Sequence, residues 1–309
     1  MRNKAKKQNK TFFFILLIPL IVILLIFFLA RGNIAILNPK GVIAAQEKNL
    51  VITALLLMLV AVLPALILAS IIVLRNRNGD KKKEKEFSDK TSRKLQITWW
   101  ALPSTIVLLL ALLTWKTSHA VDPYKQLNSS VAPIDIQVVA LRWKWLFIYP
   151  KQNIATVNFI QIPQNTPIHF DLTADAPMNS FWIPQLGGQM YAMAGMSTQL
   201  NLMANQEGEF NGSAAEINGA GFAGMKFITK SSSQADFNTW VETIKQSHST
   251  LTFDDYNNEL ELPSENNPRV FYSSVESDLY HKIISKFMPA STGSNSQDVM
   301  QMPGMNMQY

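Results

Sequence analysis

The sequence contains no cysteine and only four histidines. Without thiols no disulfide can brace an exported domain and no thiolate can hold a metal, so any folded part must stand on its core. His119, His169, His248 and His281 lie far apart, with no pair at helical i,i+3 or i,i+4 spacing, which favours ordinary hydrogen-bonded roles over a metal centre. Gly-x-Ser-x-Gly, P-loop and Rossmann signatures are also missing, so the corresponding hydrolase and nucleotide-binding classes have no local support. A formal net charge of +6 could be read as nucleic-acid binding. No basic stripe accompanies a folded segment, however, and that class is excluded.

Long apolar runs are what the chain has instead. Thr11–Ala30, Leu50–Leu74 and Ile97–Trp115 carry no charged residue, and each is near the roughly 20 residues that a helix needs to cross a bilayer. Pro64 and Pro103 fall inside two of these runs, as membrane helices tolerate where a neighbour re-satisfies the freed carbonyls. Trp99, Trp100 and Trp115 lie near the ends of the last run, where indoles prefer the headgroup boundary.

The basic residues sit beside the runs. Residues 1–10 hold five Lys/Arg and no acid, residues 75–95 hold nine against four acids, and everything from Gln96 onward holds eleven against seventeen. Excess Lys/Arg marks cytoplasmic segments, so both basic stretches belong inside and the C-terminal two thirds outside. The first run is open to two readings, a signal peptide cleaved near Ala30-Arg31-Gly32 or an uncleaved anchor. Its length exceeds the 7–15 apolar residues usual for a signal, which favours the anchor.

Beyond Val121 the pattern changes to short alternating or β-branched stretches separated by Pro, Gly and Asn. Strands are expected over Ile134–Leu141, Ile154–Ile162, Ile168–Thr173, Asn179–Ile183, Thr198–Met203, Gly208–Ala214 and Met225–Thr229, forming a small antiparallel sandwich or barrel. From Ser233, a helix cap, Phe237, Trp240, Val241 and Ile244 recur on one helical face. A second helix is expected over Ser274–Phe287, with Leu279, Ile283, Ile284 and Phe287 inward. Residues 290–309 are polar and Met-rich, and disorder is expected there.

Three stretches carry a resemblance: Leu141-Arg-Trp-Lys-Trp-Leu-Phe-Ile-Tyr-Pro150, Ala176-Pro-Met-Asn-Ser-Phe-Trp-Ile-Pro184, and Gly212-Ser-Ala-Ala-Glu-Ile-Asn-Gly-Ala-Gly-Phe-Ala-Gly-Met225. With the helical anchor before them they resemble subunit II of the haem-copper respiratory oxidases. The resemblance implies a two-helix hairpin, with or without a third N-terminal helix or signal, carrying an extracytoplasmic all-β cupredoxin-like sandwich and C-terminal helices. The implied organisation is an N-terminal segment 1–32, a hairpin 33–120 with a cytoplasmic loop 75–95, a cupredoxin-like domain 121–232, a helical arm 233–289 and the tail 290–309.

In the cytochrome c oxidases of that family the sandwich holds a dinuclear copper centre, built from a His in a stretch like His-Ser-Trp-x-x-Pro and a loop of the form Cys-x-Glu-x-Cys-x-x-x-His-x-x-Met. Laid on that pattern, this chain has Asn179 for the first His, Ala214 and Asn218 for the two cysteines and Phe222 for the second His, while Glu216 and Met225 remain. A copper pair needs soft thiolates and imidazoles, so the resemblance implies a cradle stripped of its metal, with Phe222 as a plug. Stripped cradles of this kind are a feature of the quinol oxidases. Leu113-Thr-Trp-Lys-Thr117 and Leu186-Gly-Gly-Gln-Met-Tyr-Ala-Met-Ala-Gly-Met196 narrow the resemblance to subunit II of the bo-type ubiquinol oxidases.

That family implies no catalytic residue and no cofactor in this chain, with haem and copper in a partner subunit I, subunits III and IV alongside, and quinol reached through subunit I. It implies a multi-pass protein of the bacterial inner membrane and excludes cytochrome c as donor. Three positions depart from the pattern: Gly32 stands at the lipobox Cys, Gln96 at a Glu near a proton channel mouth, and Arg142-Trp143-Lys144-Trp145 keeps aromatics that receive electrons only where copper is present. Two rival readings are a membrane-anchored copper carrier using Met300, Met302, Met305 and Met307, and a cytochrome c oxidase subunit with a rebuilt copper centre. The absence of cysteine weighs heavily against the second.

Overall fold

The computed structural model describes residues 34–76, 89–265 and 267–288. The first apolar run, most of the charged loop and the Met-rich tail lie outside the described residues.

Two long helices come first: α1 (Val42–Asn76) contains Pro64 and α2 (Asp89–Ala120) contains Pro103. Val42–Ile72 and Gln96–Ala120 are long and apolar enough to cross a membrane, with mean hydropathies of 3.0 and 1.8. The helices touch each other, yet Leu56, Ile67, Val107 and Trp100 remain exposed. Such an all-round apolar surface is suited to lipid or to other membrane helices.

The β domain is built from β1 (Ile134–Leu141), β2 (Lys144–Tyr149), β3 (Ile154–Val157), β4 (Phe159–Pro163), β5 (Ile168–Ala174), β6 (Asn179–Trp182), β7 (Met190–Ala192), β8 (Thr198–Leu202), β9 (Gly208–Ala214) and β10 (Lys226–Ser232). Helix α3 (Gln234–Lys245) follows, then β11 (Thr250–Leu251), a helical turn Phe253–Leu260, β12 (Val270–Tyr272), β13 (Ser274–Val275) and helix α4 (Leu279–Ser285). One sheet runs β12-β3-β2-β1-β5-β8 and the other β4-β10-β9-β6-β7. The expected purely antiparallel pattern is corrected, because β1 pairs with β5 and β4 with β10 in parallel.

The expected single strand over Ile154–Ile162 is two strands in different sheets. Asn158 between them has φ 55, a left-handed value that an Asn tolerates better than most residues, and there the chain crosses from one layer to the other. The β2 strand was not anticipated, since all six of its residues are buried and the period-2 alternation is absent. The helix expected from Ser274 starts only at Leu279, since Ser274 and Val275 pair with β11. Leu279, Ile283 and Ile284 do face inward, but Phe287 lies past the helix and is exposed.

The sheets pack through Trp145, Phe147, Phe170, Phe181 and Phe227, all essentially buried, with Phe181 and Phe227 stacked at 5.1 Å and an interplanar angle of 6°. Tyr149 ties the layers by hydrogen bonds: its hydroxyl donates to the Gln161 carbonyl at 2.9 Å and accepts from the Gln161 N–H at 3.1 Å. Ser233 caps α3 by accepting from the Asp236 N–H, as its position ahead of the apolar face predicts. The anchor meets the domain where Lys40 and Gly41 donate to the Gln185 carbonyl, at 2.8 and 3.1 Å. A Cβ on Gly41 would lie 2.6 Å from the Leu186 carbonyl, so only glycine permits that approach.

Candidate functional site

Strand β6 opens the site. Asn179 is its first residue, faces inward and is completely buried. Its Oδ1 accepts from the Ser180 N–H at 3.0 Å and its Nδ2 donates to the Met225 thioether at 3.2 Å. Asn218 Nδ2 approaches the same sulfur at 3.6 Å. Ala214, at the end of β9, is buried beside them and donates its N–H to the Met225 carbonyl at 3.1 Å. The fold thus gathers Asn179, Ala214, Asn218 and Met225 around one fully buried sulfur.

Phe222 and Glu216 stand differently. Phe222 is half-buried and packs on the core from its edge, with its carbonyl accepting from the Met225 N–H at 3.0 Å. The groups that meet the Met225 thioether are the Asn179 and Asn218 amides. Glu216 is half-exposed in the loop. None of the four histidines joins the cluster: His169 bonds Asn201 at 2.9 Å, His119 packs tilted against Trp115 with centroids 4.7 Å apart, and His281 packs edge-on against Tyr280.

The glycines of this loop have a tenant that composition did not reveal. Arg142 and Trp143 form the two-residue connection between β1 and β2, and Trp143 takes φ 69, an outlier for so bulky a residue. Its indole lies over the loop. A Cβ on Gly221 would sit 2.4 Å from that ring and one on Gly219, itself at φ 129, 3.3 Å away. The small residues are therefore required by an aromatic ring.

Can this donor set hold copper? Asn179 presents an amide N–H, which cannot ligate, and its carbonyl oxygen already accepts from Ser180. One thioether and one further amide remain, a poor match to the thiolates and imidazoles that a copper pair requires. Among the described residues no group of three or more His, Asp or Glu is placed to hold a metal. The residues present do not fit a dinuclear copper centre.

A second buried polar cluster was not foreseen. Asp175, its side chain 2% exposed, accepts from the Tyr256 hydroxyl at 2.6 Å and from Lys286 Nζ at 2.7 Å. Lys286 also donates to Glu261 at 2.6 Å and Asn257 at 3.2 Å. Burial drives the Tyr256 phenol well above its usual range, and the hydrogen bond to Asp175 adds to this. Burial would lower Lys286, but its hydrogen bonds to Asp175 and Glu261 outweigh that and raise it. Nearby, Lys144 is buried with only neutral acceptors, the Leu262 carbonyl at 3.0 Å and Ser264 Oγ at 2.7 Å, and burial pushes its ammonium down.

Residues 134–232 match the periplasmic domain of cytochrome c oxidase subunit II, and residues 245–291 match the COX aromatic rich motif. A cytochrome bo(3) ubiquinol oxidase subunit 2 from Pseudomonas putida is 44% identical over 266 residues, covering 86% of this chain and 84% of its own length. A ubiquinol oxidase subunit 2 from Acetobacter aceti is 47% identical over 225 residues, covering 70% and 72%. The chain belongs to the ubiquinol oxidase subunit 2 family. A quinol oxidase subunit 2 from Bacillus cereus, 34% identical over 72% of this chain and 77% of its own, extends the likeness. As a member of this family the chain is a subunit of a quinol oxidase, membrane-anchored by its apolar helices and carrying a periplasmic-type sandwich.

Proposed function

We propose that this chain is the subunit II of a proton-pumping terminal quinol oxidase that holds no redox centre of its own, so that electrons pass from quinol to dioxygen without entering it. The observation behind this reading is the pocket at Asn179 and Met225, where amide N–H groups meet a thioether at 3.2 and 3.6 Å. An electron port must accept and release charge at little structural cost, and nothing in that cluster changes charge. The haem and copper of oxygen reduction then belong to a partner subunit I, which α1 and α2 pack against in the bacterial inner membrane, with subunits III and IV in the same assembly.

In this assembly the sandwich caps the outer face of subunit I. Gln96, at the cytoplasmic start of the second span, can relay a hydrogen bond but cannot load a proton as a carboxylic acid does, so this position does not serve as a proton-loading acid. Oxygen consumption by the purified complex tests the reading. Turnover with a quinol and none with reduced cytochrome c is the expected result, and the reverse pattern would refute it.

A further inference from the structure

The outer ends of the two spans border a second polar feature, open to the surface and lined by the exposed Asp122 and Lys125, unrelated to the sandwich pocket and independent of which donor the oxidase uses. A cavity of about 210 Å³ lies between the first turn of α1 and the end of α2, closed on one side by the turn that follows. Ile43, Leu127 and Met203 supply apolar wall, and Gln46, Asp122 and Lys125 supply polar groups.

The cavity is at headgroup level. Val42 and Ala120 are the outer limits of the two apolar spans, and Trp115 and Tyr124, both more than half exposed, flank that level as interfacial aromatics do. The turn is held rigidly to the domain, since the Pro123 carbonyl accepts from Asn201 N–H at 3.1 Å and from Asn201 Nδ2 at 3.0 Å. Asp122 Oδ1 accepts from the Tyr124 N–H at 2.9 Å, and the Lys125 N–H donates to the Asp122 carbonyl at 3.0 Å. The second carboxylate oxygen of Asp122 and the Lys125 ammonium have no partner among the described residues and do not pair with each other. A carboxylate and an ammonium so placed complement a ligand with both signs of charge.

We propose that this cavity binds the headgroup of an ethanolamine glycerophospholipid of the outer leaflet, with the lipid phosphate on Lys125 and the lipid ammonium on Asp122. An anionic glycerol headgroup would satisfy Lys125 and be repelled by Asp122. A choline headgroup would bring charge to Asp122 but no N–H to donate. The apolar wall at Ile43, Leu127 and Met203 accepts the glycerol and the first methylenes.

The purified membrane complex containing the full chain tests this. Washed of lipid in detergent and returned to nanodiscs of equimolar phosphatidylethanolamine and phosphatidylglycerol, it is analysed by native mass spectrometry for the lipid retained. The wild type should favour phosphatidylethanolamine by about two- to fivefold, the scale of one exposed ion pair. Asp122→Asn keeps the acceptor for Tyr124 and hence the turn, and should abolish the preference while phosphate-bearing lipid is still retained. Lys125→Gln should lower retention of both lipids, and Lys125→Arg should restore it. Unchanged lipid class and number in Asp122→Asn and Lys125→Gln would overturn the assignment. Cross-linking of another subunit into the cavity of a lipid-free complex would do the same.

Discussion

Two buried polar clusters lie within a few residues of each other along the chain, and they are built from opposite chemistry. The Asn179 cluster, around Met225, is neutral throughout. The cluster at Asp175 joins a carboxylate, an ammonium, a phenol and the second carboxylate of Glu261. On the proposed reading the neutral cluster fills the place of a lost redox metal, while the charged one fastens the C-terminal arm to the sandwich. Charge has been kept where it fixes architecture. Where charge transfer would be the function, the site is closed with groups that cannot carry it.

Asp175→Ala attacks this contrast hardest. It strands the Lys286 ammonium and the Tyr256 hydroxyl, and breaking a buried pair costs about 3–5 kcal/mol. Lys286 is 24% exposed, so water recovers part of its charge and a loss near the lower end is expected, read as a lowered thermal transition of the complex. If Asp175→Ala unfolds no earlier than wild type, the arm is held by its apolar contacts alone.

Alkaline titration should dissolve the same cluster without mutation. Lys286 and Tyr256 hold their protons more tightly folded than unfolded, so the stability they lend is complete below their ordinary values of 10.5 and 10.0 and declines as pH rises beyond them. The Tyr149, Tyr272 and Tyr280 phenols, raised by burial, act in the same direction. Lys144 acts in the other, since its lowered value means that its burial penalty lifts as pH approaches 10.5. Five groups against one predict that stability is level through neutral pH and falls above about pH 10. A Lys286→Met variant should show a shallower fall in pH-dependent denaturation, and an unchanged slope would remove Lys286 from the account.

Gly212→Ala probes the shared scaffold. A Cβ there would meet the Phe227 ring at 2.1 Å, and that ring cannot retreat because it is stacked on Phe181. Overpacking of this kind costs about 1–3 kcal/mol, which urea unfolding of the domain would register.

How much of this was legible in the sequence follows the same divide. The two apolar helices, the sandwich after them and the Ser233 cap all come from periodicity and capping chemistry, which are local signals. The β2 strand escaped because burial on both faces erases alternation. The Phe287 placement failed because the helix periodicity was extended past the point where the chain leaves it. At the site, the gathering of Asn179, Ala214, Asn218 and Met225 could be located only through a family pattern, since no amide–thioether motif exists to search for. The Trp143 ring over Gly219 and Gly221 and the Asp175–Lys286 contact join residues distant in sequence, 111 positions apart in the second case, and carry no local mark at all.

The smallest expected effect is the most informative about function. Asn179→Ala removes the N–H donated to Met225 and the acceptor for the Ser180 N–H, both buried. The loss of such neutral bonds is worth about 1 kcal/mol, enough for a modest shift in the thermal transition. On the proposed reading, in which no electron passes through the sulfur and its amides, quinol-dependent oxygen consumption of the assembled complex should stay at the wild-type rate. A fall in turnover beyond the loss of folded complex would mean that the pocket participates in the reaction, and the neutral cluster would then have to be read as a working part of the oxidase.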